Sequence, residues 1–67
     1  MNISINGEKH VVAPGHALGQ TLQLLGITVE RGVAVAVNDR VVRRDALATY
    51  ELQPDDRILL ITATQGG

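Results

Sequence analysis

Apolar and polar residues alternate at the start of the chain. Ile3 and Ile5 fall between Asn2, Ser4 and Asn6, a period of two that predicts a half-buried strand. Asn6-Gly7 follows, a dipeptide suited to a two-residue hairpin because both central residues of such a turn take positive φ. A second strand is predicted through His10-Val11-Val12, ended by Pro14-Gly15. From Ala17 to Leu25 the period changes. Leu18, Leu22 and Leu25 stand at i, i+4 and i+7, one face of a helix. Thr21 and Leu24 flank that stripe, and Gly26 is placed to end the helix in a left-handed conformation. The start of the helix is poorly marked. Neither His16 nor Ala17 is a favoured N-cap, and Gly19 lowers helix propensity.

Residues 27 to 32 read as a connection. Val33-Ala34-Val35-Ala36-Val37 is apolar at every position, which predicts a third strand, central and covered on both faces, with the alanines on one side and the valines on the other. Asn38-Asp39 supplies a turn, and Arg40 to Arg43 a short fourth strand. Asp45 is expected to cap a brief helical turn through Ala46, Leu47 and Ala48. Pro54-Asp55 suits the centre of a type I turn. The last strand runs from Arg57 to Thr62 or Ala63. Strand alternation points Ile58 and Leu60 at the helix and Leu59 and Ile61 at the opposite face. One sheet with one covering helix is an α+β layout. On that layout Leu59 and Ile61 form an exposed apolar patch, open to a docking partner or to cover by a loop or a second copy.

Composition narrows the chemistry. The core has to be aliphatic, because Tyr50 is the only aromatic among 67 residues. A chain of this length is one domain near the lower size limit for independent folding. The formal net charge of −1 and the lack of stacking aromatics argue against nucleic acid as a partner. There are no cysteines, so disulfides and thiolate metal sites are excluded, and an unstapled small fold fits a reducing cytoplasm. Met1 to Ile5 has neither a basic segment nor a long apolar run, which argues against a signal peptide or a membrane partner. His10 and His16 are the only histidines and make no metal-ligand set without companions. His10 is expected on an exposed strand face. Arg43-Arg44 reads as a solvated strand end in preference to a contact with an acidic partner. Asp55-Asp56 reads as turn chemistry in preference to an acid–base pair. No Ser–His–Asp set or phosphate loop is present, so catalysis by the chain itself is not expected.

The remaining candidate is the end of the chain. Gly66-Gly67 closes the sequence soon after the apolar run Ile58-Leu59-Leu60-Ile61. Two residues without Cβ adopt backbone conformations closed to others and pass through a narrow channel. A terminal carboxylate is ionised at neutral pH and is a poor electrophile, so it reacts only after activation, for example as an acyl-adenylate.

Taken in order, these pieces resemble the bacterial ubiquitin-like sulfur carriers, and most closely those of thiamin (thiazole) biosynthesis. The resemblance spans the whole chain, 1–67. It is carried by the opening strand with Asn6-Gly7, the Leu18–Leu25 helix, Val33 to Asn38, Val41-Val42, Arg57 to Ala63, and Gln65-Gly66-Gly67. It implies a single β-grasp domain, a five-stranded mixed sheet under one main helix, with the first and last strands as parallel central neighbours and a flexible Gly-Gly tail. It implies that Gly67 is adenylated with ATP by an E1-like adenylyltransferase and converted to a thiocarboxylate. Gln65 and Gly66 would thread the partner's active site, and Leu59 and Ile61 would dock on it. The further partners implied are a thiazole synthase and a sulfur donor such as a cysteine desulfurase or rhodanese-type protein. No cofactor would be bound, since the activating partner uses the ATP. Two positions depart from the family pattern: Asp55-Asp56 stands where Gly-Asp is frequent, and His16-Ala17 where Thr or Ser often caps the helix. Molybdopterin-pathway carriers tend to have aromatic and proline residues near the tail, and Ile61 to Gln65 has neither. A carrier for another sulfur metabolite, or a non-covalent ubiquitin-like interaction module, stays open at this point.

Overall fold

The computed structural model describes residues 1–62. Strand β1 (Asn2–Ile5) turns back into β2 (Glu8–Val11). Asn6 and Gly7 lie at φ 50° and 84°, the two positive values that match a hairpin turn to strand twist. The Met1 ammonium donates to Val12 O at 2.6 Å and Val12 N–H to Met1 O at 2.8 Å, so pairing continues past both strand ends. β2 starts earlier than the expected His10–Val12 run. His10 is also not on an exposed face. It is half-buried and directly opposite Ile3, and opposed residues of an antiparallel pair share a face, here the one that packs on the core.

Helix α1 (Leu18–Leu24) buries Leu18, Thr21 and Leu22. It ends in a Schellman arrangement. Gly26 N–H donates to Gln23 O, Ile27 N–H donates to Leu22 O, and Gly26 sits at φ 77°. At the other end Ala17 makes no side-chain cap. Main-chain carbonyls from a distant loop replace it: Leu18 N–H donates to Tyr50 O at 2.7 Å and Gly19 N–H to Leu47 O at 2.8 Å. A Cβ on Gly19 would lie 3.1 Å from Leu47 O. The glycine that weakens the helix locally is what admits the loop that caps it.

Strand β3 (Val33–Val37) pairs with β4 (Arg40–Val42) across Asn38-Asp39, at φ 50° and 70°. The expected fourth strand loses Arg43, whose extended backbone opens a 3₁₀ turn over Arg44–Ala46. Asp45 does not cap that turn. It lies inside it and pairs with exposed Arg43 at 3.5 Å. Arg44 donates to Val29 O and Glu30 O and so pins the connection after the helix. The Pro54-Asp55 turn is not type I either. Asp55 has φ 69°, the sign required at that position of a type II turn.

β5 (Arg57–Thr62) inserts between β1, to which it is parallel, and β3, to which it is antiparallel. The order β2-β1-β5-β3-β4 places β5 at the centre, with β3 beside it. α1 covers one face. Ile3, Ile5, Leu18, Leu22, Val35, Val37, Val42, Leu52 and Ile58 form the core. Among the described residues no second layer covers the other face. Ala36 is buried there because its neighbours in register, Leu59 and Val41, outreach its methyl group.

Candidate functional site

β5 is held by β3 from Ile58 to Thr62 and, on its other side, as far as Leu60 N–H. On the β1 side, Ser4 N–H donates to Asp56 O at 3.0 Å and Asn6 N–H to Ile58 O at 2.9 Å. The Asn6 side chain then accepts from Leu60 N–H at 2.8 Å. On the β3 side the register runs from Val37 opposite Ile58 to Val33 opposite Thr62. This pairing holds the direction of β5 as far as Thr62. Asp56 anchors the start. It is 6 % exposed, accepting from Asn38 Nδ2 and from Gln53 N–H, both at 2.8 Å. The carboxylate of Asp56 therefore closes a turn and does not pair with exposed Asp55 for acid–base work.

Side chains alternate along β5 as expected. Ile58 is 1 % exposed and Leu60 packs against the core, whereas Leu59 is 41 % and Ile61 47 % exposed on the open face. The register adds a residue that sequence reasoning missed. Val41 stands opposite Ala36, which stands opposite Leu59, and Val41 is 69 % exposed. Leu59, Ile61, Val41, Ala34 and Ala36 thus form one apolar surface across three strands. Alternation in Arg40-Val41-Val42 places Val41 outward, but only the register shows which strand it adjoins. The expected reactive and threading residues, Gly67, Gly66 and Gln65, lie outside the described residues.

Elsewhere the chemistry is sparse. His16 lines a cleft of about 190 Å³ between β2 and α1, with Val11, Val12, Thr21 and Leu24 among its walls. Among the described residues no group of three or more His, Asp or Glu side chains converges. No helix among them is long and apolar enough to cross a membrane.

The sequence model of the ThiS family matches residues 2–67. The chain belongs to the ThiS family. The crystal structure of the thiamine biosynthesis protein ThiS from Geobacter metallireducens is similar over 100% of both chains, at 25% identity and a TM-score of 0.83. A solution structure of a thiamine biosynthesis protein from the same organism shares the fold at 23% identity and a TM-score of 0.68, over 100% of this chain and 88% of that one. A search of curated proteins finds no match. The β-grasp fold implied by the resemblance is therefore established. This ThiS-family chain is a ubiquitin-like sulfur carrier of thiamine biosynthesis.

Proposed function

We propose that the chain, acting as a single carrier domain, accepts sulfur on the carboxylate of Gly67 and delivers it to thiazole formation, without an active site of its own. A carboxylate oxygen attacks the α-phosphorus of ATP on an E1-like adenylyltransferase, and pyrophosphate leaves. The terminal sulfur of a persulfide on a donor such as a cysteine desulfurase or rhodanese-type protein attacks the acyl carbon, and AMP leaves with the bonding electron pair. A thiol then attacks the donor-side sulfur of the resulting acyl disulfide, forms a disulfide with the donor, and releases the thiocarboxylate for the thiazole synthase.

The observation that carries this reading is the central position of β5. The strand is held by β1 and Asn6 as far as Leu60 N–H and by β3 as far as Thr62, and it bears Leu59 and Ile61 on the open face. The five residues beyond Thr62 reach at most about 16–18 Å. A partner seated on the apolar face would find the carboxylate within that distance of Thr62. Gln65 and Gly66 would thread that site, and ThiS-family membership favours thiazole over molybdopterin as the destination.

Intact mass spectrometry tests the proposal. Incubation with ATP, the cognate activating enzyme and a sulfur source should exchange one carboxyl oxygen for sulfur, located at Gly67 by fragmentation. An unchanged mass beside an enzyme that activates its own control carrier would overturn it.

A further inference from the structure

We propose that the side of β5 beyond Asn6 is a strand-addition slot, in which an extended segment of the activating enzyme pairs with Leu60 C=O and Thr62 N–H. The inference rests on the carrier reading above and specifies how the partner grips the strand.

The polar groups of β5 alternate in direction. Asp56 O, Ile58 O and Leu60 N–H face β1. Arg57 O faces β3, where it accepts from Asn38 N–H at 2.8 Å. In an antiparallel pair, mutually hydrogen-bonded residues alternate with residues whose polar groups point apart. Continuing from Asn38 and Arg57, the pairs Leu60–Val35 and Thr62–Val33 are of the second kind. Val33 N–H accordingly turns away and donates to Glu30 O at 3.1 Å. Leu60 C=O and Thr62 N–H thus project to the β1 side.

β1 does not reach them. It ends at Ile5, and Asn6 at φ 50° turns the chain into β2. Asn6 still completes one parallel link. Its N–H donates to Ile58 O, and its side-chain oxygen stands in for a main-chain carbonyl toward Leu60 N–H. The next link repeats that geometry with no residue of this chain to fill it among those described. One residue of a strand running parallel to β5 satisfies both groups, donating its N–H to Leu60 O and accepting from Thr62 N–H. Strand addition to a sheet edge is a general mode of peptide recognition. Leu59 and Ile61, exposed on the same stretch, give that segment an apolar floor. The slot opens at Thr62, five residues before Gly67 in the sequence, so the proposed occupant is the enzyme that activates the tail.

Thr62→Pro removes the N–H that faces the slot and no β3 hydrogen bond, and proline favours the extended conformation Ile61 already has. Thr62→Val keeps the N–H and serves as control. With thermal unfolding confirming both folds, Thr62→Pro should raise the KM for the carrier in adenylation roughly threefold to tenfold, the worth of about one hydrogen bond, and Thr62→Val should not. Amide exchange read by NMR should show Thr62 N–H fast in the carrier alone. Exchange should slow at least about tenfold, some 1.4 kcal/mol of protection, with saturating enzyme and a non-hydrolysable ATP analogue. Unchanged exchange in a complex competent for adenylation, or equal KM for the two variants, overturns the slot and leaves the carrier reading standing. Protection that grows with carrier concentration in the absence of enzyme assigns the slot to a second copy and also overturns it. No adenylation of the wild-type chain sinks the carrier reading itself.

Discussion

Asn38 and Asp56 hold each other across the sheet. Asn38 Nδ2 donates to Asp56 Oδ1 at 2.8 Å, while Asn38 Oδ1 accepts from Arg57 N–H at 2.9 Å. The first turn residue after β3 is thereby fastened to the entrance of β5, 18 positions later. Asp56 Oδ2 accepts from Gln53 N–H, so one buried carboxylate closes the Pro54-Asp55 turn and sets where the last strand begins. Asp56→Ala leaves Asn38 Nδ2 and Gln53 N–H without their acceptor. The expected loss is about 1–3 kcal/mol, and each kcal/mol lowers the midpoint of a domain this size by about 4–8 °C. Thermal unfolding at neutral pH reads it. An unshifted midpoint would show that water replaces the carboxylate at no cost.

Gly19 offers a test in which local and tertiary effects have opposite signs. Inside an exposed helix, glycine to alanine gains roughly 1 kcal/mol. Here the added Cβ sits 3.1 Å from Leu47 O, and that oxygen is held at 2.8 Å by Gly19 N–H. It cannot retreat without stretching the bond that caps the helix. Gly19→Ala should lower the unfolding midpoint. A rise would mean that the loop over residues 47–50 yields freely.

Leu22 measures the core. It is 1 % exposed, between helix and sheet. Leu22→Ala should cost about 2–5 kcal/mol, a large share of the roughly 5–15 kcal/mol typical of whole proteins. Chemical denaturation checks it, and a midpoint equal to wild type would contradict the packing of α1 on the sheet.

Tail and face variants should separate folding, docking and chemistry. Deleting Gly67 draws the carboxylate back by about 3.3–3.6 Å, and Gly66→Leu places a side chain where bare backbone is proposed to thread. Both should unfold like wild type and fail in adenylation. Leu59→Asp, Ile61→Asp and Val41→Asp keep the same carboxylate and put charge on the apolar face. They should raise KM more than they lower kcat, because binding is lost before chemistry. Normal adenylation of the tail variants would move the reactive group away from Gly67. Wild-type KM in all three face variants would move the docking surface elsewhere.

Local periodicity carried most of the architecture. The alternation Ile3-Ser4-Ile5, the Leu18–Leu22–Leu25 stripe and the Asn6-Gly7 and Asn38-Asp39 turns depend on neighbours a few residues away, so they are legible along the chain. The same alternation separated Ile58 and Leu60 from Leu59 and Ile61. What the chain alone misplaced depends on partners distant in sequence. His10 faces the core because of its register with Ile3. Asp45 is the local exception: Arg43 takes the N-cap position, which leaves Asp45 inside the 3₁₀ turn. Asp55 adopts positive φ while Asp56 folds back on Gln53 and Asn38. The weak start of α1 is resolved only when Leu47 and Tyr50 bring their carbonyls to it. Periodicity assigns a side chain to one of two faces. It does not say which strand lies alongside, and that pairing alone puts Val41 and Leu59 on either side of Ala36 and leaves Thr62 N–H beyond the end of β1.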